Sequence, residues 1–161
     1  MVEAKTKKMI EDLMLDIPVI DNDHGILFDL FNQLEDAAHS SEGLTTIGSY
    51  LNMIIEYSSY HFAREEALMD VCGIDNKTAH GEEHRRIIEG LLQLRRRYFS
   101  DNTLPLQPEE MDLCREWLVE HIITWDQTYI DTMRQMPDRV SQASAEFAEK
   151  NSGKKNDSGF I

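Results

Sequence analysis

Residues 47–68 read IGSYLNMIIEYSSYHFAREEAL. Ile47, Leu51, Ile54, Ser58, His61, Glu65 and Leu68 recur in steps of three and four, the spacing of one face of an α-helix. The face is apolar until its last turns, where a histidine and a glutamate take core positions. Side chains four residues apart on a helix lie about 6 Å apart along the axis, so both can address one interior point. A buried imidazole needs a partner there, and imidazole is a common ligand of first-row transition metals. The stretch predicts a long helix that carries ligand chemistry into a helical core.

Three other segments repeat the pattern. His24, Leu27, Phe31, Leu34 and Ala38 form a stripe on a helix expected to start at Asp21 or Asp23, either of which can cap it, and to run to about His39. The helix of residues 47–68 should start after Ser41 and stop before Gly73. A third helix, over about 76–99, lines up His80, His84, Ile87, Leu91 and Leu94. A fourth follows Pro108, a residue suited to a first helical turn, and lines up Met111, Cys114, Leu118, His121 and Trp125. Only four prolines occur, and alternating β-branched runs are absent. The expected fold is all-α: an up-down-up-down antiparallel four-helix bundle, since the connections are short. The bundle domain is placed at 1–136, including an N-terminal arm in which 5–15 form a short outer helix. Residues 137–161 are a C-terminal extension, weakly helical over 138–150 and then a disordered tail over 151–161.

The 161 residues carry a net charge of −14, which disfavours nucleic acid and anionic membrane surfaces as partners. The basic cluster of Arg85, Arg86 and Arg95 to Arg97 is interleaved with Glu82, Glu83 and Glu89 and reads as a solvated helix face. No apolar run approaches the about 18 residues of a membrane span, and the acidic residues near the N-terminus do not suit a secretory signal. Cys72 and Cys114 lack CxxC spacing and read as reduced thiols of a cytoplasmic protein, Cys114 in the core.

The chemistry lies in the joint spacing. His24 stands alone, His61 precedes Glu65 by four residues, His80 precedes His84 by four, and His121 precedes Asp126 by five. A five-residue step turns the side chain about 140° on an ideal helix. Asp126 must therefore reach around, or the helix must loosen into a π-like turn. Each piece alone is weak; together, with every histidine on a core stripe, they describe five imidazoles and two carboxylates converging on a carboxylate-bridged metal pair. Structural zinc prefers four ligands, often thiolates, and calcium and magnesium prefer oxygen. Ferritin-type iron pairs use mainly carboxylates. A histidine-rich set with two bridging acids suits an iron pair. His39, without a spaced partner, is expected in solvent.

The pieces IPVIDNDH (17–24), YHFAREEALM (60–69), HGEEH (80–84) and WLVEHIITWD (117–126) resemble the hemerythrin family, over residues 16 to 133. The resemblance implies two irons, ferrous or ferric, joined by an oxo or hydroxo bridge. His80, His84 and His121 would hold one iron; His24 and His61 the other, with a position left open; Glu65 and Asp126 would bridge. Leu27, Phe62, Trp117, Leu118 and Ile122 would line an apolar oxygen pocket that excludes water and protons. The chain departs from the family at Gly25, where a larger residue is usual and where glycine opens the mouth of the site. It also departs at Pro18-Val19, in an arm that carries Leu13, Met14 and Leu15 and lacks the usual tryptophan.

The implied function is reversible dioxygen binding, as a carrier or store, rather than catalysis. Two alternatives stand beside it: an oxygen or redox sensor that signals to a protein partner through the arm or tail, and an enzyme acting on peroxide or nitric oxide. The expected walls of the pocket hold no acid–base side chain, which weighs against the enzyme.

Overall fold

The computed structural model describes residues 12–40, 43–100 and 106–152. These form six helices, α1 Pro18–His39, α2 Leu44–Cys72, α3 Lys77–Ser100, α4 Pro108–Thr124, α5 Ile130–Arg134 and α6 Pro137–Ser152, with a 3-10 turn Asp126–Thr128 between α4 and α5. No strand occurs among the described residues. α1 packs on α2 and α4, and α3 packs on the same two helices. That ring of neighbours is the antiparallel four-helix bundle expected from the stripes.

α1 begins earlier than expected. Pro18 takes the first helical position, where its missing N–H costs nothing. Asp21 caps from inside the first turn: its carboxylate accepts the Leu15 N–H at 2.6 Å and the Ile17 N–H at 3.1 Å. Asp23 is no cap and faces the interior. The arm is pinned where it meets the bundle. Arg134 Nε donates to the Leu15 carbonyl at 2.9 Å, and its Nη2 pairs with Asp16 at 3.0 Å. Leu15 is buried, Leu13 half-buried and Met14 exposed. The rest of the outer helix expected over 5–15 lies outside the described residues.

α2 ends as its sequence requires. Gly73 sits at φ 69°, a left-handed conformation that glycine adopts without penalty. Its N–H bonds to the Asp70 carbonyl, and the Ile74 N–H to that of Met69, the pattern of a Schellman motif. Arg85 and Arg86 are exposed and face Glu82 and Glu83, as a solvated surface would. His39 is exposed, and both cysteines are free and buried. Burial pushes the Cys114 thiol up to about 12.

Residues 137–152 are more helical than their composition suggests. α6 runs through Asn151 and Ser152, two residues assigned to the tail, and packs along α2. Val140, Ala143 and Phe147 fall on one side at helical spacing. Val140 is buried, the Phe147 ring lies 5.3 Å from that of Tyr60, and Arg139 donates to the Val71 carbonyl at 3.2 Å. Residues 153–161 lie outside the described residues.

Gly90 on α3 makes room for Trp117 on α4. A Cβ at position 90 would lie 2.6 Å from Trp117 Cζ3 and Cη2. Gly90→Ala is therefore expected to destabilise the chain by about 1–3 kcal/mol through overpacking. This overrides the about 1 kcal/mol that alanine normally gains over glycine within a helix. Thermal melting checks it: in a Trp117→Leu background the same change should turn neutral or stabilising. A Gly90→Ala chain melting at or above wild type would show that this contact is loose.

Candidate metal centre

Each bundle helix brings its polar residues to one level. α1 supplies His24, α2 His61 and Glu65, α3 His80 and His84, α4 His121, and the turn after it Asp126. All seven are buried, and none is more than 3% exposed. Glu65, His80, His84 and His121 each offer one ligand atom within 4.8 Å of the others. His24 and His61 join through the carboxylates. Asp126 Oδ2 lies 3.3 Å from His24 Nε2, while its Oδ1 lies 3.3 Å from His80 Nε2 and 2.9 Å from His121 Nε2. Glu65 Oε2 lies 3.5 Å from both His61 Nε2 and His84 Nε2, and its Oε1 3.0 Å from His80 Nε2. Each carboxylate thus stands between the pair His24 and His61 and the trio His80, His84 and His121.

Asp126 gets there by neither expected route. α4 ends at Thr124, Trp125 closes its last α-type bond to the His121 carbonyl, and the backbone then tightens into a 3-10 turn. The helix stops instead of widening, so the ideal α-helical rotation ceases to apply at Asp126.

The donor set fits metal better than it fits itself. Both nitrogens of His24 and His80, Nε2 of His61, Nδ1 of His121 and all four oxygens of Glu65 and Asp126 are buried without a hydrogen bond of acceptable geometry. Buried polar atoms are rarely left so, and here nitrogen and oxygen lone pairs face one another. Cations between them would satisfy the inward Nε2 atoms and the carboxylate oxygens.

Without metal, protons serve that purpose. Burial pushes the two carboxyls up, but the surrounding imidazoles outweigh it. Glu65 is held down to about 2, and Asp126 well below the usual carboxylate range. Burial pushes His80 down, but Asp126 and Glu65 overcome it and raise the group to about 9. His84 is raised likewise by Glu65 and Glu66.

Around the seven lie residues that the sequence reading did not single out for the site. Glu66 Oε1 lies 2.9 Å from His84 Nδ1. Asp23 Oδ2 lies 3.2 Å from His61 Nδ1, and Asp23 Oδ1 accepts from Tyr57 Oη at 2.8 Å and from Arg64 Nη1 at 3.3 Å. Burial pushes Asp23 up, but these neighbours bring it below its ordinary value, while burial holds His61 below its own. A neutral ring facing a carboxylate donates Nδ1–H and keeps the Nε2 lone pair for the centre. Tyr129, fully buried, sets its ring 5.7 Å from that of His80; burial, Asp126 and Glu65 keep its phenol protonated. The spacings Tyr57-to-His61 and His61-to-Arg64 were the available signal, but such spacings are common on charged helices.

Of the expected pocket residues, Leu27, Phe62, Leu118 and Ile122 are buried, and Trp117 is half-buried. Phe62 is in ring contact with the cluster, stacked on His84 with centroids 4.0 Å apart and planes 10° apart. Beside His24, a Cβ at Gly25 would meet nothing within 4 Å, so this position is open.

Residues 15–133 match the hemerythrin HHE cation binding domain, and the chain belongs to the hemerythrin family. It is similar to the bacteriohemerythrin of Pseudomonas aeruginosa (strain LESB58), 32% identical over 124 residues, 77% of this chain and 79% of that protein. Myohemerythrin-1 of Phascolopsis gouldii is 28% identical over 111 residues, 68% of this chain and 80% of that protein. A crystal structure of wild-type hemerythrin superposes with a TM-score of 0.66 at 27% identity, covering 73% of this chain and 88% of the other. α6 lies beyond residues 15–133, the stretch that the family model matches.

The raised His80 fixes the sign of a pH effect. Its extra stability is full below 6.5, the ordinary imidazole value, and is lost as pH rises to about 9. The metal-free chain should therefore melt progressively lower across that range. Metal displaces the proton, so loading should abolish this limb and release protons. Melting curves of metal-free and loaded protein check both; equal slopes would mean that His80 binds no metal.

Proposed function

We propose that the chain holds two irons at His24, His61, Glu65, His80, His84, His121 and Asp126 and binds dioxygen reversibly there. What carries the reading is the seven-residue cluster, buried and with most of its nitrogen and oxygen atoms unbonded, in a chain of the hemerythrin family. An iron pair with one open position would supply the electrons that dioxygen takes up on binding and returns on release.

The protein side of the work belongs to the chain. His80, His84 and His121 would hold one iron, and His24 and His61 would hold the other. Glu65 and Asp126, which stand between the two groups of histidines, would serve both. Leu27, Phe62, Trp117, Leu118 and Ile122 present no acid–base group, so they exclude water and deliver no proton. Gly25 leaves space beside His24, the two-histidine position, which favours ready access and faster oxidative loss than in a chain with a side chain there. Carrier or store is the role proposed for such binding. A sensing role is the second reading, favoured by one observation: α6, outside the family match, packs on the helix that carries His61 and Glu65.

Metal analysis should find two irons per chain, and the reduced protein should develop a reversible absorption change in air. A single metal, or no spectral response, would sink the reading. His24→Ala should remove one iron and the oxygen response while the three-histidine position stays loaded.

The wall has its own test. Leu118→Ala is expected to cost about 2–5 kcal/mol as a core truncation and also to speed autoxidation by admitting water. Leu118→Met, which keeps the volume, should stay close to wild type in both. Equal autoxidation in all three proteins would make Leu118 ordinary core.

A further inference from the structure

α6 reaches the candidate centre through side chains that the oxygen-binding reading leaves unused. Its Phe147 ring rests on Tyr60 at 5.3 Å. The Tyr60 ring lies under the Arg64 guanidinium, 4.6 Å from centroid to Cζ, and its hydroxyl accepts from Arg64 Nη2 at 2.6 Å. The other arm of that guanidinium, Nη1, donates to Asp23 Oδ1 at 3.3 Å. Asp23 Oδ2 faces His61 Nδ1 at 3.2 Å. Four contacts thus join α6 to one of the two histidines assigned to the open position.

The geometry makes this a mechanical linkage. A guanidinium is a rigid planar fork, and here its two arms are committed to two partners. Displacing Tyr60 turns the fork and weakens the hold on Asp23. Asp23 is fully buried, and among the described residues Arg64 is the arginine paired with it. A carboxylate that accepts Nδ1–H fixes the tautomer and the plane of the ring. Loosening Asp23 therefore frees His61 to turn or to move its proton to Nε2, which removes the lone pair directed at Glu65.

α6 is also suited to two states. Val140 is its one buried residue, and a groove of about 820 Å³ runs beneath its last turns, bordered by Tyr57, Tyr60, Arg64, Ala148 and Asn151. Elements with few buried apolar contacts open at low free energy.

We propose that Tyr60 and Arg64 are positioning residues for His61, and that docking of α6 through Phe147 sets them, so that α6 and the metal at His61 report on each other. The metal part rests on the reading of His61 as a ligand. Linkage requires reciprocity: the factor by which undocking weakens metal binding is the factor by which metal strengthens docking.

The test uses the full chain. Phe147→Ala removes the contact from the surface side and leaves the bundle core untouched, Phe147→Leu is the conservative rescue, and Tyr60→Phe deletes one hydroxyl while keeping the ring. The first readout needs no metal: nitrogen NMR of the His61 ring reports its tautomer. Wild type and Phe147→Leu should show the Nδ1–H form, and Phe147→Ala and Tyr60→Phe a mixture. The second is anaerobic ferrous titration, in which Phe147→Ala and Tyr60→Phe should each weaken one of two sites by about 10-fold, with the double variant no worse than the single ones. The third is amide hydrogen exchange of α6, which iron should slow in wild type and not in Phe147→Ala. An unchanged His61 tautomer in both variants, additive losses of affinity, or α6 exchange indifferent to iron would each overturn the proposal. A wild-type chain that takes up no iron would overturn the functional reading and the reciprocal half of the proposal, while the ring signal still decides whether α6 positions His61.

Discussion

Two carboxylates without solvent govern this structure. Glu65 and Asp126 are fully buried, and an ion removed from water costs several kcal/mol unless nearby charge and hydrogen bonds replace its hydration. Among the described residues no lysine or arginine is paired with either; the five imidazoles are what surround them. An imidazole can answer a carboxylate as a protonated cation or as a ligand to a shared metal. The bundle is therefore built around a centre satisfied only by binding something, protons or metal. That demand explains why each of the four bundle helices keeps a histidine on its apolar stripe.

Much of this was legible in the chain. Stripes at steps of three and four set the four helices and their inward faces, and the histidines could be recognised because they continue those stripes. Gly73 and Pro108 marked an end and a start by their own backbone preferences. Asp126 was legible as a residue but not as a geometry, because a helix that stops and rewinds leaves no periodic trace. Asp21 misled as a cap because a carboxylate inside the first turn can do a cap's work by reaching backwards.

The surrounding shell was not legible, for a different reason. Asp23 meets Tyr57, His61 and Arg64 across 34 to 41 residues of chain, and no local pattern announces a contact of that range. On its own helix, Asp23 looks like one more acid near an N-terminus. α6 was underestimated in the same way. Its apolar stripe is short, and the contacts that seat it lie on α2, far away in sequence.

α2 is where these strands of argument meet. His61 and Glu65 point inward from it, Glu66 reaches the back of His84, Phe62 stacks on the same ring, and Tyr57, Tyr60 and Arg64 occupy the side shared with α1 and α6. One unbroken 29-residue helix thus carries candidate ligands, their orienting groups and the seat of the C-terminal helix. Residues three and four apart on a helix share a face and are held at fixed spacing, so Arg64 cannot shift relative to His61 by backbone movement without breaking α2. The coupling proposed between α6 and the centre therefore runs through side-chain rotation on one continuous helix. For that kind of motion, a guanidinium fork anchored at one end by a tyrosine and at the other by a buried carboxylate is a suitable pivot.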